Sequence, residues 1–165
     1  DDMRIPEKNR IGEEGVGFIH QMKSFQHERF CVLPSCYITT KKAILETIDH
    51  LRKRVVFGKP LITKQVLRHR LVDWLTEIEC IKQLTYHIVR MKMKGMDVTR
   101  EVSMGKLFGA KLLNKVMDGC LQMFGGLGYM SEMPISRAFR DSRLLSIGGG
   151  ANEVMSEIIA KSEGF

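Results

Sequence analysis

Between Lys64 and Lys94 the sequence places Leu67, Leu71, Trp74, Leu75, Ile78, Ile81, Leu84, Ile88 and Met91 at spacings of three and four, the period of one helical face. A stripe sustained over that length excludes a strand, whose side chains alternate with a period of two. Gly95 and Asp97 end it. A long pattern precedes it, from about His27 to Arg54, with Ile44, Leu45, Ile48 and Leu51 among its apolar positions and Gly58 and Pro60 as its terminators. Pro34 must kink that helix or sit in its first turns. A third spans roughly Thr99 to Phe124, carrying Val102, Leu107, Leu112, Val116, Cys120 and Phe124, with Thr99 as its candidate cap. Beyond Gly128 come two shorter helices, one from near Pro134 to Leu145, the other from about Ala151 to Lys161. No segment alternates like a strand. Long helices joined by short connections favour antiparallel neighbours. The expected fold is therefore all-α, an up-and-down antiparallel bundle over residues 26–165, preceded by a connector over 1–25 that holds Pro6 and Ile11-Gly-Glu-Glu-Gly-Val-Gly-Phe18.

A chain of 165 residues with 44% hydrophobic content can bury one core. No apolar run approaches the roughly 18 residues of a membrane span. The opening residues match neither a secretory signal nor a transit peptide, and read as the interior of a longer polypeptide. A net charge of +7 is compatible with nucleic acid, a membrane surface or an anionic cofactor. The cations are scattered along the helices without a block of five or six, which reads as a solvated face and makes no case for nucleic acid. Cys31, Cys36, Cys80 and Cys120 lack C-x-x-C spacing, so reduced, packed thiols are expected, as in cytosol or an organelle matrix. His20, His27, His50, His69 and His87 show no metal-ligand spacing, and no metal is expected.

Two glycine-bearing stretches stand out: Gln122-Met-Phe-Gly-Gly-Leu-Gly-Tyr129, and Arg140-Asp-Ser-Arg-Leu-Leu-Ser-Ile-Gly-Gly-Gly-Ala-Asn-Glu-Val-Met155. Each sets glycines at a helix boundary, where bare backbone amides can approach a phosphate or a ring edge. Together with Asn9-Arg-Ile-Gly-Glu-Glu-Gly-Val-Gly-Phe18, Glu28-Arg29, Arg54-Val-Val-Phe-Gly58 and Gln65, they occur in the order and at the separations found in acyl-CoA dehydrogenases. The chain resembles the C-terminal third of such an enzyme, the end of the β-domain followed by the helical domain.

The resemblance implies an FAD-dependent oxidoreductase that takes the α-proton of an acyl-CoA thioester with a glutamate while hydride leaves the β-carbon for the flavin. It maps Arg54 to the FAD pyrophosphate, Phe57 to the adenine, Gln65 to the adenosine portion, and Gln122, Gly125 and Gly126 to the flavin of a neighbouring subunit. Ala151 and Glu153 fall at flavin-contacting positions, although a threonine commonly stands at the first. A Thr or Ser common between the arginine and the aromatic is Val56 here, so that contact is lost. Many members carry the base shortly after the Arg-Asp motif, where this chain has Gly149. A subgroup including the isovaleryl-CoA and long-chain enzymes carries it in a Glu-Arg-Leu stretch of the long helix, and Glu28-Arg29-Phe30 matches that placement. Glu28 is accordingly the expected base. The resemblance also implies a homodimer or homotetramer, electron-transfer flavoprotein as acceptor, and a mitochondrial matrix or bacterial cytoplasmic location. Its alternatives are an acyl-CoA oxidase-like enzyme and a non-catalytic helical oligomerisation or binding module. As a fragment, the chain is not expected to turn over substrate alone.

Overall fold

Helix α1 (Gly17–Lys53) rises, α2 (Gln65–Met93) descends and α3 (Thr99–Phe124) rises again in the computed structural model, which describes residues 2–165. The single turn α4 (Gly126–Tyr129), α5 (Pro134–Ser142) and α6 (Asn152–Glu163) follow. The only strands among the described residues are β1 (Val55–Val56) and β2 (Lys59–Pro60), an antiparallel hairpin pairing Val55 with Pro60 and Val56 with Lys59. The expected all-α, up-and-down architecture is what forms.

The helix directions follow from the contacts. Along α1 and α3, Leu33 faces Gly105, Cys36 faces Gly109, and the His50 ring stacks on Phe124 with centroids 4.3 Å apart, so these two helices run parallel. Trp74 meets Gly119 and Ile81 meets Gly109, so α2 runs against both. The core fills the space between these three helices with Ile44, Leu51, Trp74, Ile78, Ile81, Val116, Met117 and Cys120. A smaller cluster of Leu33, Ile88, Val98 and Val102 closes the end where α1 and α3 begin. Buried Thr40, Thr47 and Thr85 each satisfy their hydroxyl by donating to the carbonyl four residues back, which lets polar side chains sit in an apolar seam.

Three local expectations change. The first helix begins at Gly17, ten residues before His27, so part of the connector expected over 1–25 is helical; Asp1 lies outside the described residues. Its early turns carry Phe18, Ile19 and Met22 exposed, and no buried stripe marks them in the sequence. Pro34 is interior to α1, where it withholds the amide that the Phe30 carbonyl would otherwise receive. Thr99 is the first residue of α3 and not its cap: Asp97 accepts from the Thr99 amide at 3.1 Å and from its hydroxyl at 2.7 Å.

Candidate functional site

The residues singled out in the sequence fall into two groups at opposite ends of the bundle. At the far end of α1, Arg54 is fixed through its backbone: its amide donates to His50 and its carbonyl accepts from Leu61 at 2.8 Å. Its side chain is exposed and has no carboxylate within ion-pairing distance among the described residues. The hairpin that follows turns on Phe57 and Gly58, with φ of 50° and 77°. Two positive φ values suit the right-handed twist of a two-residue hairpin, and Phe57 adopts a conformation glycine would take more readily. Its ring is 93% exposed. Gln65 opens α2 beside His69.

The His50–Phe124 stack brings the end of α3 to this same corner. Gln122 is exposed there, and its carbonyl accepts from the Gly125 amide. Gly125 has φ 63° and ψ −144°, a backbone state essentially reserved for glycine. A Cβ built on Gly125 or Gly126 would meet nothing within 4 Å, so an external group can come close to the main chain. Desolvation, and next the nearby Arg54 charge, lower the His50 pKa and favour a neutral ring against Phe124. The charge scattered along the sequence also concentrates at this corner. Residues 50–72 hold Arg52, Lys53, Arg54, Lys59, Lys64, Arg68 and Arg70 with no acid, and the remaining nineteen cations equal the nineteen acids, so this stretch accounts for the whole net charge of +7.

The second group lies toward the start of α1. Glu28 is exposed, while Arg29 turns inward and donates from Nε to the Gly149 carbonyl at 2.6 Å. This bond sets the helical turn that bears Glu28 and Arg29 against the loop at Gly149. A Cβ on Gly149 would find open space. Ala151 is the residue before α6 and supplies no side-chain cap, and Glu153 is exposed in the first turn. The Asn152 Oδ1 is buried without a hydrogen-bond partner. Sequence reasoning missed Arg29, Asn152 and Lys106. Lys106 is 1% exposed and donates to the Gly150 carbonyl, occupying a helical phase that sequence reading gave to its neighbour Leu107. The missed signal was a lysine four residues after Val102 and four before Ala110, both buried.

From Glu28 to Arg54 are 26 residues of α1, which at the helical rise separates the groups by about 39 Å. An extended dinucleotide cannot bridge that distance. One end offers a guanidinium unpaired among the described residues and an exposed aromatic, and the other a buried, unpartnered amide oxygen beside uncapped helix amides.

The family model for the acyl-CoA dehydrogenase C-terminal domain matches residues 15–164. The chain is 34% identical to cyclohexane-1-carbonyl-CoA dehydrogenase of Geobacter metallireducens over 98% of its own length and 42% of that protein. It is 32% identical to the long-chain specific mitochondrial acyl-CoA dehydrogenase of Sus scrofa, covering 98% and 37%. It is 29% identical to the caffeyl-CoA reductase-Etf complex subunit CarC of Acetobacterium woodii, covering 97% and 42%. The crystal structure of an acyl-CoA dehydrogenase from Geobacillus kaustophilus superposes with a TM-score of 0.96 at 32% identity, over all of this chain and 43% of that one. The chain thus spans less than half the length of these relatives.

Proposed function

Because the chain belongs to the acyl-CoA dehydrogenase family, whose C-terminal domain it spans, we propose that it is the helical domain of an FAD-dependent enzyme that oxidises the α,β-carbon pair of an acyl-CoA thioester. The observation that carries this reading is the Arg29–Gly149 bond. It places the Glu28 turn beside the triglycine loop, and Gly149 leaves the space in front of that loop clear.

In this reading the Glu28 carboxylate accepts the α-proton. A bound flavin would supply the acceptor for the hydride leaving the β-carbon, so that with the proton on Glu28 two electrons and two hydrogens would depart and a double bond would form. Glu28 is exposed in this chain, and efficient abstraction needs a site closed to water; the relatives have more than half their length beyond the matched region to supply that cover. Arg54 pairs with a diphosphate and Phe57 lies on an adenine. Gly125 and Gly126 admit the dinucleotide to the backbone. The roughly 39 Å between the groups is accommodated when each flavin is shared: one subunit contributes the Glu28 end and another the Arg54 end. Electron-transfer flavoprotein suits the role of acceptor, as the name of the Acetobacterium relative suggests by analogy.

Replacing Glu28 by Gln removes the base and preserves its shape. In the full-length protein the variant should retain its flavin and lose acyl-CoA-driven bleaching of the flavin band by a factor of about 10² or more. Normal bleaching in Glu28→Gln would overturn the assignment of the base.

A further inference from the structure

Lys106 and Arg29 are the two cations the bundle buries, at 1% and 9% exposure. Neither has a carboxylate within 4.0 Å among the described residues, and each donates to a backbone carbonyl of one loop: Lys106 Nζ to Gly150, Arg29 Nε to Gly149. Burial lowers the pKa of both, and Lys106 is held down further by the Arg29 charge. Glu28 and Glu153 act on them only from beyond ion-pairing distance, and two buried cations without a directly paired carboxylate are poor devices for stability.

What they hold is the middle of a loop whose flanks are tied by the main chain, the Gly148 amide donating to the Leu144 carbonyl at 2.7 Å and the Ala151 carbonyl accepting from the Met155 amide at 3.0 Å. Gly148, Gly149 and Gly150 have no side chains, and Gly149 and Gly150 have φ of 67° and 109°. Three successive amides, of Gly149, Gly150 and Ala151, have no hydrogen-bond acceptor among the described residues. In a planar trans peptide the C=O and the following N–H point in opposite directions. Drawing the carbonyls of Gly149 and Gly150 inward therefore turns the amides of Gly150 and Ala151 outward, away from the cations.

We propose that Lys106 and Arg29 are positioning residues that clamp these two carbonyls so that the Gly150 and Ala151 amides form a fixed pair of donors for a carbonyl oxygen that gains negative charge during the reaction. That oxygen belongs either to the thioester or to the flavin ring. Fixed donors aimed at developing charge accelerate a reaction because they need no reorganisation when the charge appears. The clamp deepens the enzyme reading and rests on it only for the identity of the oxygen.

The test is ¹⁵N relaxation on the full chain and on Lys106→Met, which keeps length and removes charge. The expected result is a fall of the Gly149 and Gly150 amide order parameters from about 0.85 to below about 0.6, with the α3 core amides unchanged. Should Lys106→Met fail to fold, Arg29→Lys, which withdraws the Nε donor and keeps the charge, is expected to loosen the same two glycines. Unchanged order at both glycines in a folded variant overturns the clamp, whatever the activity. The holoenzyme then identifies the oxygen. A drop of kcat by tenfold or more with KM and flavin retention preserved assigns the donors to the thioester, whereas a shifted or lost flavin spectrum before substrate is added assigns them to the flavin. A native holoenzyme that never bleaches with acyl-CoA would refute the enzyme reading and leave the relaxation result to decide the clamp.

Discussion

At the scale of single residues, burial separates the four thiols into two kinds. Cys36 and Cys120 are buried, and desolvation pushes both thiols up to about 11 from an ordinary 9.0. Cys31 and Cys80 are exposed. Native protein should therefore be alkylated by iodoacetamide at Cys31 and Cys80 alone; modification of Cys120 without unfolding would contradict the packing. The sign of the pH effect follows from the same burial. Between pH 9 and 11 the unfolded chain loses thiol protons that the folded chain keeps, so stability falls as pH rises across that window, by roughly 3 kcal/mol per thiol. Lys106, with its pKa lowered, opposes this. Urea midpoints measured across the window should decline less steeply in a Cys36→Ala/Cys120→Ala variant than in the native chain. Glu28, Arg54 and Phe57 could be singled out as candidates from the sequence because each sits in a short motif with a fixed neighbour. Lys106 was illegible because its role lies in a contact forty-four residues away in sequence, and a lysine in a helix reads by default as solvated.

Among the elements, α3 is set by its glycines. A Cβ on Gly105 would stand 2.5 Å from Leu33 Cδ2, on Gly109 2.6 Å from Ile81 Cδ1, and on Gly119 2.4 Å from Trp74 Cη2. Leucine and isoleucine tips can swing aside, whereas the indole is stiff and 4% exposed. Gly119→Ala gains about 1 kcal/mol of helix propensity but overpacks the seam by about 1–3 kcal/mol. It should lower the Tm by a few degrees, on the scale of 2–4 °C per kcal/mol for a chain of this size. A raised Tm would show that the α2–α3 seam is looser than these distances imply. Helical periodicity made α2 and α3 readable almost to the residue, because their buried stripes are continuous. The start of α1 was hidden because its first turns leave Phe18 and Ile19 in solvent, and a helix that buries nothing leaves no period. The hairpin escaped because strands of two residues are too short to alternate.

For the molecule as a whole, the consequence of this packing is separation. Parallel α1 and α3 carry Glu28 and the triglycine loop at one end, and Arg54, Phe57 and Gly125 at the other, where all of the +7 net charge also resides. If a diphosphate docks at that basic corner, flavin retention should weaken steeply with salt, and Arg54→Gln should release flavin at lower salt than the native protein does, measured by absorbance after gel filtration. The family, the fold and most residues of both groups were legible in the sequence, but their distribution to two ends was not, since it follows from helix direction and not from motif order. The most direct measurement is sedimentation velocity of the full-length protein with FAD, followed at the flavin band. Sharing predicts that bound flavin travels with dimers or larger species and leaves them in Arg54→Glu. Flavin travelling stably with a monomer, and indifferent to Arg54→Glu, would contradict the shared site.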